Sequence, residues 1–420
     1  MKNRSVVVGL VLFCFTALIA FGAGQTEGEK GPVTITWRQG DWWKDSIPKI
    51  IEGFESEHPN IKLINELVPW SAYLDKAVAS TIGPAPPDVL AMSVLQMPVL
   101  AKQGVLTKLE PFVEKSTELS PDQFFEGGWK LGIYQGDLLS IPFRLEAIAL
   151  YYNTNIFTEV GLDPNRPPKT HEEVLEYAIK MTIPGKRSGF AISAGAKNPT
   201  HFMVDLSETV WGFGTDYLND TWTKAAVDSS KVKAAVKWWT EYYTKHKVVP
   251  EGSLTYDWND IGRLFGQETV AMYYYGVSGV KGNSAIQETE VPGLKFKVSP
   301  IPPDEVTFAS SWGQTIPKNA KYKEEAWEFI EYFCRPDVLP AVAARMPAVK
   351  AAATHPGWSA PEVDPFWENG NYCRTFPGIG EWAEIQQIMV EEVQAIILGK
   401  KSVDEAMDQA AARINGLLQS

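Results

Sequence analysis

Cysteine is nearly missing from this chain: three residues in 420, none in a CxxC or Cys/His cluster. Structural zinc needs such a cluster, so no zinc site is expected, and no other cofactor motif stands out. Histidine is equally sparse. His58, His171, His201, His246 and His355 are scattered without HExxH or any ligand-like spacing, and His58 reads as a helix end. The GxSxG elbow, the GxxxxGK[ST] phosphate loop and a GxGxxG after a strand are all lacking. Positive charge is in deficit too, 39 Lys+Arg against 51 Asp+Glu for a net −12. That balance argues against a nucleic-acid partner, because binding a phosphate backbone needs Lys and Arg to displace counterions.

Long apolar runs are lacking except at the start. Behind Lys2 and Arg4, residues 6–22 are apolar or small, and the chain then turns polar through Ala23-Gly24-Gln25-Thr26. This pattern predicts a secretory signal peptide over 1–23, cut between Gly22 and Gln25, and hence a periplasmic or extracellular protein. An uncleaved anchor is the alternative, since the run is just short of bilayer length. No lipobox is evident: Cys14 lies inside the run rather than after it. In an oxidising compartment Cys334 and Cys373 could form a disulfide; two free thiols are the other reading.

The hydrophobic share, 45%, is ample for a packed core, and 420 residues suggest two domains or one interrupted pair. β-branched alternation at 33–37 predicts a strand. Helical spacing of Ile47, Ile50, Ile51 and Phe54 follows, ending at His58-Pro59-Asn60. Strands are then predicted over 61–68, 89–92, 138–141, 147–152, 270–275 and 295–301. Helices are predicted over 72–82, 97–103, 170–181, 230–246, 323–333, 382–398 and 403–418. Such alternation implies an α/β fold with largely parallel sheets and ligand loops at strand ends. Pro142-Phe143-Arg144-Leu145-Glu146 interrupts a β pattern and is read as the first crossing between lobes. With no repeat and no long linker, the lobes are expected to be interleaved.

Aromatic residues are plentiful: 15 Trp, 15 Tyr and 19 Phe. Several Trp fall in loops, as in Asp41-Trp42-Trp43, Pro69-Trp70-Ser71, Trp211-Gly212-Phe213-Gly214 and Ser311-Trp312-Gly313. Flat rings with partly negative faces can stack on sugar C–H faces while rim carboxylates, Arg and amides take hydroxyls. Core filling explains any one of them as well, and Trp238, Trp239 and Trp327 sit in helical stripes that read as packing.

The order and spacing of several short stretches together resemble the extracellular solute-binding proteins of ABC sugar importers, the maltose-binding-protein-like group. They include Phe54-Glu55-Ser56-Glu57-His58-Pro59-Asn60, Pro87-Asp88-Val89, Gly104-Val105-Leu106 and Ile141-Pro142-Phe143-Arg144-Leu145-Glu146. Leu150-Tyr151-Tyr152-Asn153-Thr154-Asn155, Pro168-Lys169-Thr170-His171, Val270-Ala271-Met272 and Ala326-Trp327-Glu328-Phe329-Ile330 complete the set. The resemblance implies a two-lobed periplasmic-binding-protein-like fold. The N-terminal lobe would be 31–143 plus 276–315 and the C-terminal lobe 144–275 plus 316–420, with crossings near 142–146, 275–276 and 315–318. It implies a non-enzymatic, monomeric receptor that captures a mono- or oligosaccharide, acidic or neutral, and delivers it to an ABC permease by hinge closure. No cofactor is implied.

Ligand contacts implied by the resemblance are Asp41, Trp42, Trp43, Trp70 and Ser93 from the first lobe. Arg144, Glu146, Trp211, Tyr275, Gly276 and Ser278 follow at the crossings and the second lobe. Ser311, Trp312, Arg345, Arg374, Glu381 and Trp382 come from later strands, loops and a helix start. Glu146 falls on the acidic hinge position, and Arg144 could pair with it or meet an anionic ligand. Two other readings stay open. Tyr273-Tyr274-Tyr275 could offer phenolates to ferric ion, with Tyr273 and Tyr275 on one strand face. A secreted glycosidase or lyase would need two carboxylates about 5–10 Å apart, which spacing along the chain does not reveal.

Overall fold

The computed structural model describes residues 31–41, 44–69, 72–289, 291–302, 306–343 and 345–419. The expected leader and three expected contacts, Trp42, Trp43 and Trp70, lie outside the described residues. Among the described residues no helix is long and apolar enough to cross a membrane.

Among the described residues ten strands are present: β1 (Val33–Gly40), β2 (Ile61–Val68), β3 (Val89–Ser93), β4 (Ile133–Tyr134), β5 (Asp137–Leu138), β6 (Ile141–Asn153), β7 (Met272–Gly276), β8 (Phe296–Ser299), β9 (Thr307–Thr315) and β10 (Cys373–Arg374). Eight share one sheet with the path β2-β1-β3-β9-β6-β7; β10 joins β9, β8 joins β6, and β4-β5 form a separate hairpin. The sheet is mixed rather than largely parallel. β1 runs parallel to β2 and β3, whereas β9 is antiparallel to β3 and β6, and β6 is antiparallel to β7 and β8.

The sequence suggested two strands broken at Pro142–Glu146; instead β6 runs unbroken for 13 residues. The proline is absorbed by a register shift between Pro142 and Arg144 against β9, a bulge that bends the strand without ending it. Opposite Pro142 stands Gly313, where a Cβ would lie 1.9 Å from Ser140 Oγ and 2.8 Å from the Ile141 carbonyl oxygen. Only glycine lets the two strands approach this closely.

Helices cover the sheet. Helix His171–Met181 starts where Thr170 accepts the Glu173 N–H, helix Ser230–Thr244 at Ser229, and helix Val403–Leu418 at Ser402. These are side-chain caps for otherwise orphaned amides. Helix Pro199–Gly212 differs: every residue from Phe202 to Trp211 is buried, including Asp205, Ser207, Glu208 and Thr209.

The buried residues form two apolar clusters. The first gathers β1, β3 and helix Ile47–Glu57 with helix Lys323–Cys334, whose Phe329 lies 4.9 Å from Trp37 and 5.2 Å from Phe54. Helix Lys323–Cys334 and the buried residues that follow it to Trp367 therefore pack in the cluster that holds β1. The aromatic face of that helix is matched by Trp37 of β1 and Phe54 of helix Ile47–Glu57, and apolar area is buried where its complement lies.

Cys334 and Cys373 are both free, the second of the two readings left open by the sequence. Cys334 closes helix Lys323–Cys334 inside the first cluster, while Cys373 hydrogen-bonds to the Gly370 carbonyl at 3.1 Å. Burial pushes both thiols up, Cys373 to about 12. Cys334 and Cys373 should therefore both react with a thiol reagent in denaturant without reductant, and hardly at all while the protein is folded. Recovery of both thiols only after reduction would contradict this arrangement.

Candidate functional site

The crossing of β6 and β9 sets the floor of a cavity of 290 Å³. Alternation puts Arg144, Glu146 and Ile148 on one face of β6. The register sets Arg144 across from Trp312 and Glu146 across from Ser310. Ser310 and Phe308 line the cavity beside Arg144, Glu146 and Ile148. The end of β7 adds Tyr275 and Gly276, and Ser278 opens helix Ser278–Thr289, so the positive end of that helix faces the same space. Arg345 enters from the loop before Pro347, which bridges to Arg144.

The far wall comes from two helix starts. Asn198 caps helix Pro199–Gly212 and brings His201 to the cavity. Asp257 caps helix Trp258–Gly266 by accepting the Asn259 and Asp260 N–H groups, and Asp260 returns to the Asp257 N–H; Trp258 and Asn259 therefore sit at the rim. The His201 and Trp258 rings stack at 4.5 Å and 11°, and Tyr275 meets Trp258 at 5.5 Å and 58°. A flat two-ring plate with a tilted third ring is a surface suited to a sugar ring or another flat, weakly polar face.

The polar groups are arranged as follows. An Arg144 Nη2 donor lies 2.5 Å from Glu146 Oε2, a charge-assisted pair with side chains 15% and 24% exposed. The Tyr275 hydroxyl donates to Asn259 Oδ1 at 3.3 Å. Burial lowers the His201 pKa, keeping its ring neutral at neutral pH, and raises that of Tyr275.

Thus Arg144, Glu146, Tyr275, Gly276, Ser278 and Arg345 are brought together, and the other described candidates lie elsewhere. Asp41 is exposed at the end of β1, and Ser93 is buried at the end of β3. Ser311 is one residue out of phase: it points to the opposite face and donates to the Arg144 carbonyl at 2.8 Å, leaving Ser310 at the cavity. Trp312 is buried against Tyr73 at 5.5 Å. Trp211 is buried with its indole N–H 3.3 Å from Asp216 Oδ1; Arg374 pairs with Asp216 and covers the indole at 5.0 Å. Trp382 fills the second cluster beside Phe376 at 5.0 Å, with Glu381 at its helix start. These aromatic rings build the wall behind Phe308, not the cavity surface.

His201, Trp258, Asn259, Ser310, Phe308 and Ile148 were missed. The capping pattern Asp257-Trp258-Asn259-Asp260 is a readable helix-start signal, but it does not say which space that start will face. Of the three consecutive tyrosines only Tyr275 lines the cavity; Tyr273 and Tyr274 are buried, so no phenolate cluster forms. Glu146 is the only carboxylate lining the cavity among the described residues, whereas glycoside hydrolysis calls for two.

Behind the plate lie two buried acids. Asp205 accepts the Ser193 N–H at 2.6 Å, and Glu208 accepts the Phe308 N–H at 2.9 Å, tying the buried helix to β9. Burial pushes Asp205 up to about 7 and Glu208 to about 8, the nearby Asp205 adding to the rise at Glu208.

The chain belongs to the bacterial extracellular solute-binding protein family, whose defining pattern matches residues 40–338. Among its relatives is a Brucella abortus (strain 2308) protein named only as a binding protein, 25% identical over 388 residues and covering 88% of this chain and 89% of the relative. The sn-glycerol-3-phosphate-binding periplasmic protein UgpB of Escherichia coli (strain K12) is 22% identical over 413 residues, covering 89% of each. In fold, the chain is similar to the sugar-binding protein MalE of Xanthomonas citri, with a TM-score of 0.82 at 18% identity over 92% of this chain and 98% of that one.

Because Asp205 and Glu208 hold protons in the folded state that the unfolded chain releases near pH 4, their contribution to stability is full below pH 4 and is lost as pH rises through 7 to 8. Glu208→Gln keeps an acceptor for Phe308 and should flatten this fall. The gap between wild type and variant in unfolding free energy, from denaturant titrations, should grow by roughly 1–3 kcal/mol between pH 4.5 and 8.5. Parallel pH profiles for the two proteins would show that Glu208 is ionised throughout.

Proposed function

We propose that the chain is the carbohydrate receptor of an ABC importer, binding a ligand of mono- or disaccharide size between its lobes. The observation that carries this reading is the His201–Trp258 plate facing the Arg144–Glu146 pair across a cavity of 290 Å³. A sugar laid on the indole would bury its C–H face while Glu146, Ser310, Asn259 and Ser278 take its hydroxyls. The names of relatives point the same way, since one is a sugar-binding and another a glycerol-phosphate-binding protein, both taking polyhydroxylated ligands.

Binding would be coupled to closure. A ligand touching both lobes binds the closed form better than the open one, and that difference alone shifts the equilibrium. The closed, loaded receptor then docks on a membrane permease and releases its solute chemically unchanged. On this reading the protein is a monomer without catalytic activity or cofactor. The charged start at Lys2 and Arg4 and the apolar run behind it direct the protein across the cytoplasmic membrane.

Calorimetry across mono- and disaccharides should find a sugar bound at micromolar affinity. Trp258→Ala should weaken it about 10- to 100-fold, a loss of roughly 1.4–2.7 kcal/mol, without changing the fold. If no sugar binds more tightly than about millimolar, the receptor reading is wrong.

A further inference from the structure

The cavity holds two guanidinium groups and one carboxylate. Arg144 and Glu146 neutralise each other at 2.5 Å. Arg345 is left over: it is exposed at the cavity, and among the described residues no carboxylate lies within ion-pair distance of it. Asp257, beside the far wall, is engaged as a helix cap and lies 3.4 Å from Lys197 Nζ. Tyr275 gives its proton to Asn259 rather than to an acid. The site therefore carries one uncompensated positive charge, and the start of a 12-residue helix at Ser278 adds to the same sign.

Closure around a ligand strips water from these groups. A neutral sugar would leave Arg345 dehydrated and unpaired, which is costly, whereas an anionic group would meet its planar fork of donors. We propose that the ligand is an anionic carbohydrate, a sugar bearing a carboxylate or a phosphate, with the charged group held by Arg345 and the ring on Trp258. This inference rests on the carbohydrate reading above and narrows it.

The test is calorimetry on the protein with glucose, glucuronate, glucose 6-phosphate and the galactose counterparts, beside inorganic phosphate. At about 20 mM salt an anionic sugar should bind at least about ten-fold more tightly than its neutral parent, and salt near 0.5 M should remove most of that advantage. The uronate and sugar phosphate arms tell which anion is preferred. Arg345→Gln should abolish the preference, costing the anionic sugar at least about ten-fold more affinity than its neutral parent, and Arg345→Lys should keep part of the preference; circular dichroism checks that both variants fold. Neutral sugars binding as tightly as anionic ones, independently of salt, would overturn the inference and leave the carbohydrate reading standing. Inorganic phosphate binding as well as sugar phosphate would also overturn it, since the ring would then contribute nothing. If neither neutral nor anionic sugars bind, both readings fall together.

Discussion

The antiparallel pairing of β6 with β9 is the constraint on which the site depends. These strands run from one apolar cluster to the other: Ile141, which pairs with Gln314, belongs to the first, and Ile148 and Phe308, just beyond the Ala147–Ala309 pair, belong to the second. Their ladder fixes the face on which every side chain appears. A one-residue slip would replace Arg144, Glu146 and Ile148 with Phe143, Leu145 and Ala147, and put Ser311 where Ser310 now stands. The bulge at Pro142 and the close approach at Gly313 tie down that register. A cavity chemistry that depends on strand parity needs such a lock more than it needs any single strong contact.

Much of the fold was legible because its signals are local. Thr170, Ser229 and Ser402 announce their helices through capping, and helix Val403–Leu418 follows from its apolar stripe alone. The long antiparallel crossing was not legible. A proline inside a β pattern looks like an end, and only the partner strand, more than 160 residues away, reveals it as a bulge. For the same reason the packing partner of helix Lys323–Cys334 was not legible. Helical periodicity tells that Phe329 and Phe333 face a core, but not that this core is built around Trp37.

The site divides along the same line. Arg144, Glu146, Tyr275, Gly276 and Ser278 were readable because they share strands or strand ends with the motifs that carry the resemblance. Abundant tryptophan was a poorer guide. Trp211, Trp312 and Trp382 occupy Gly-flanked or loop-like sequence yet are buried, since a large ring beside a small residue is also how a core closes around a bend. Trp258 was overlooked because its sequence reads as an ordinary helix start. Its role comes from Asp257, which turns the chain so that the first helical residue faces the cavity.

The buried acids show how the plate and the floor are held relative to each other. Helix Pro199–Gly212 carries His201 at its start, Asp205 one turn on and Glu208 about a turn further, so one rigid element spans from the ring stack to β9. An apolar residue at position 208 would avoid the cost of burying a carboxyl, but it would leave the Phe308 N–H without its acceptor at the point where Phe308 reaches the cavity. Protonation offers a cheaper solution than ionisation: the neutral acid still accepts through Oε1, and burial keeps the proton on. Glu208 is thus explained as a neutral tether between the second-lobe helix and the crossing strand. The cavity's charge balance is then set by the three ionic groups that line it, Arg144, Glu146 and Arg345.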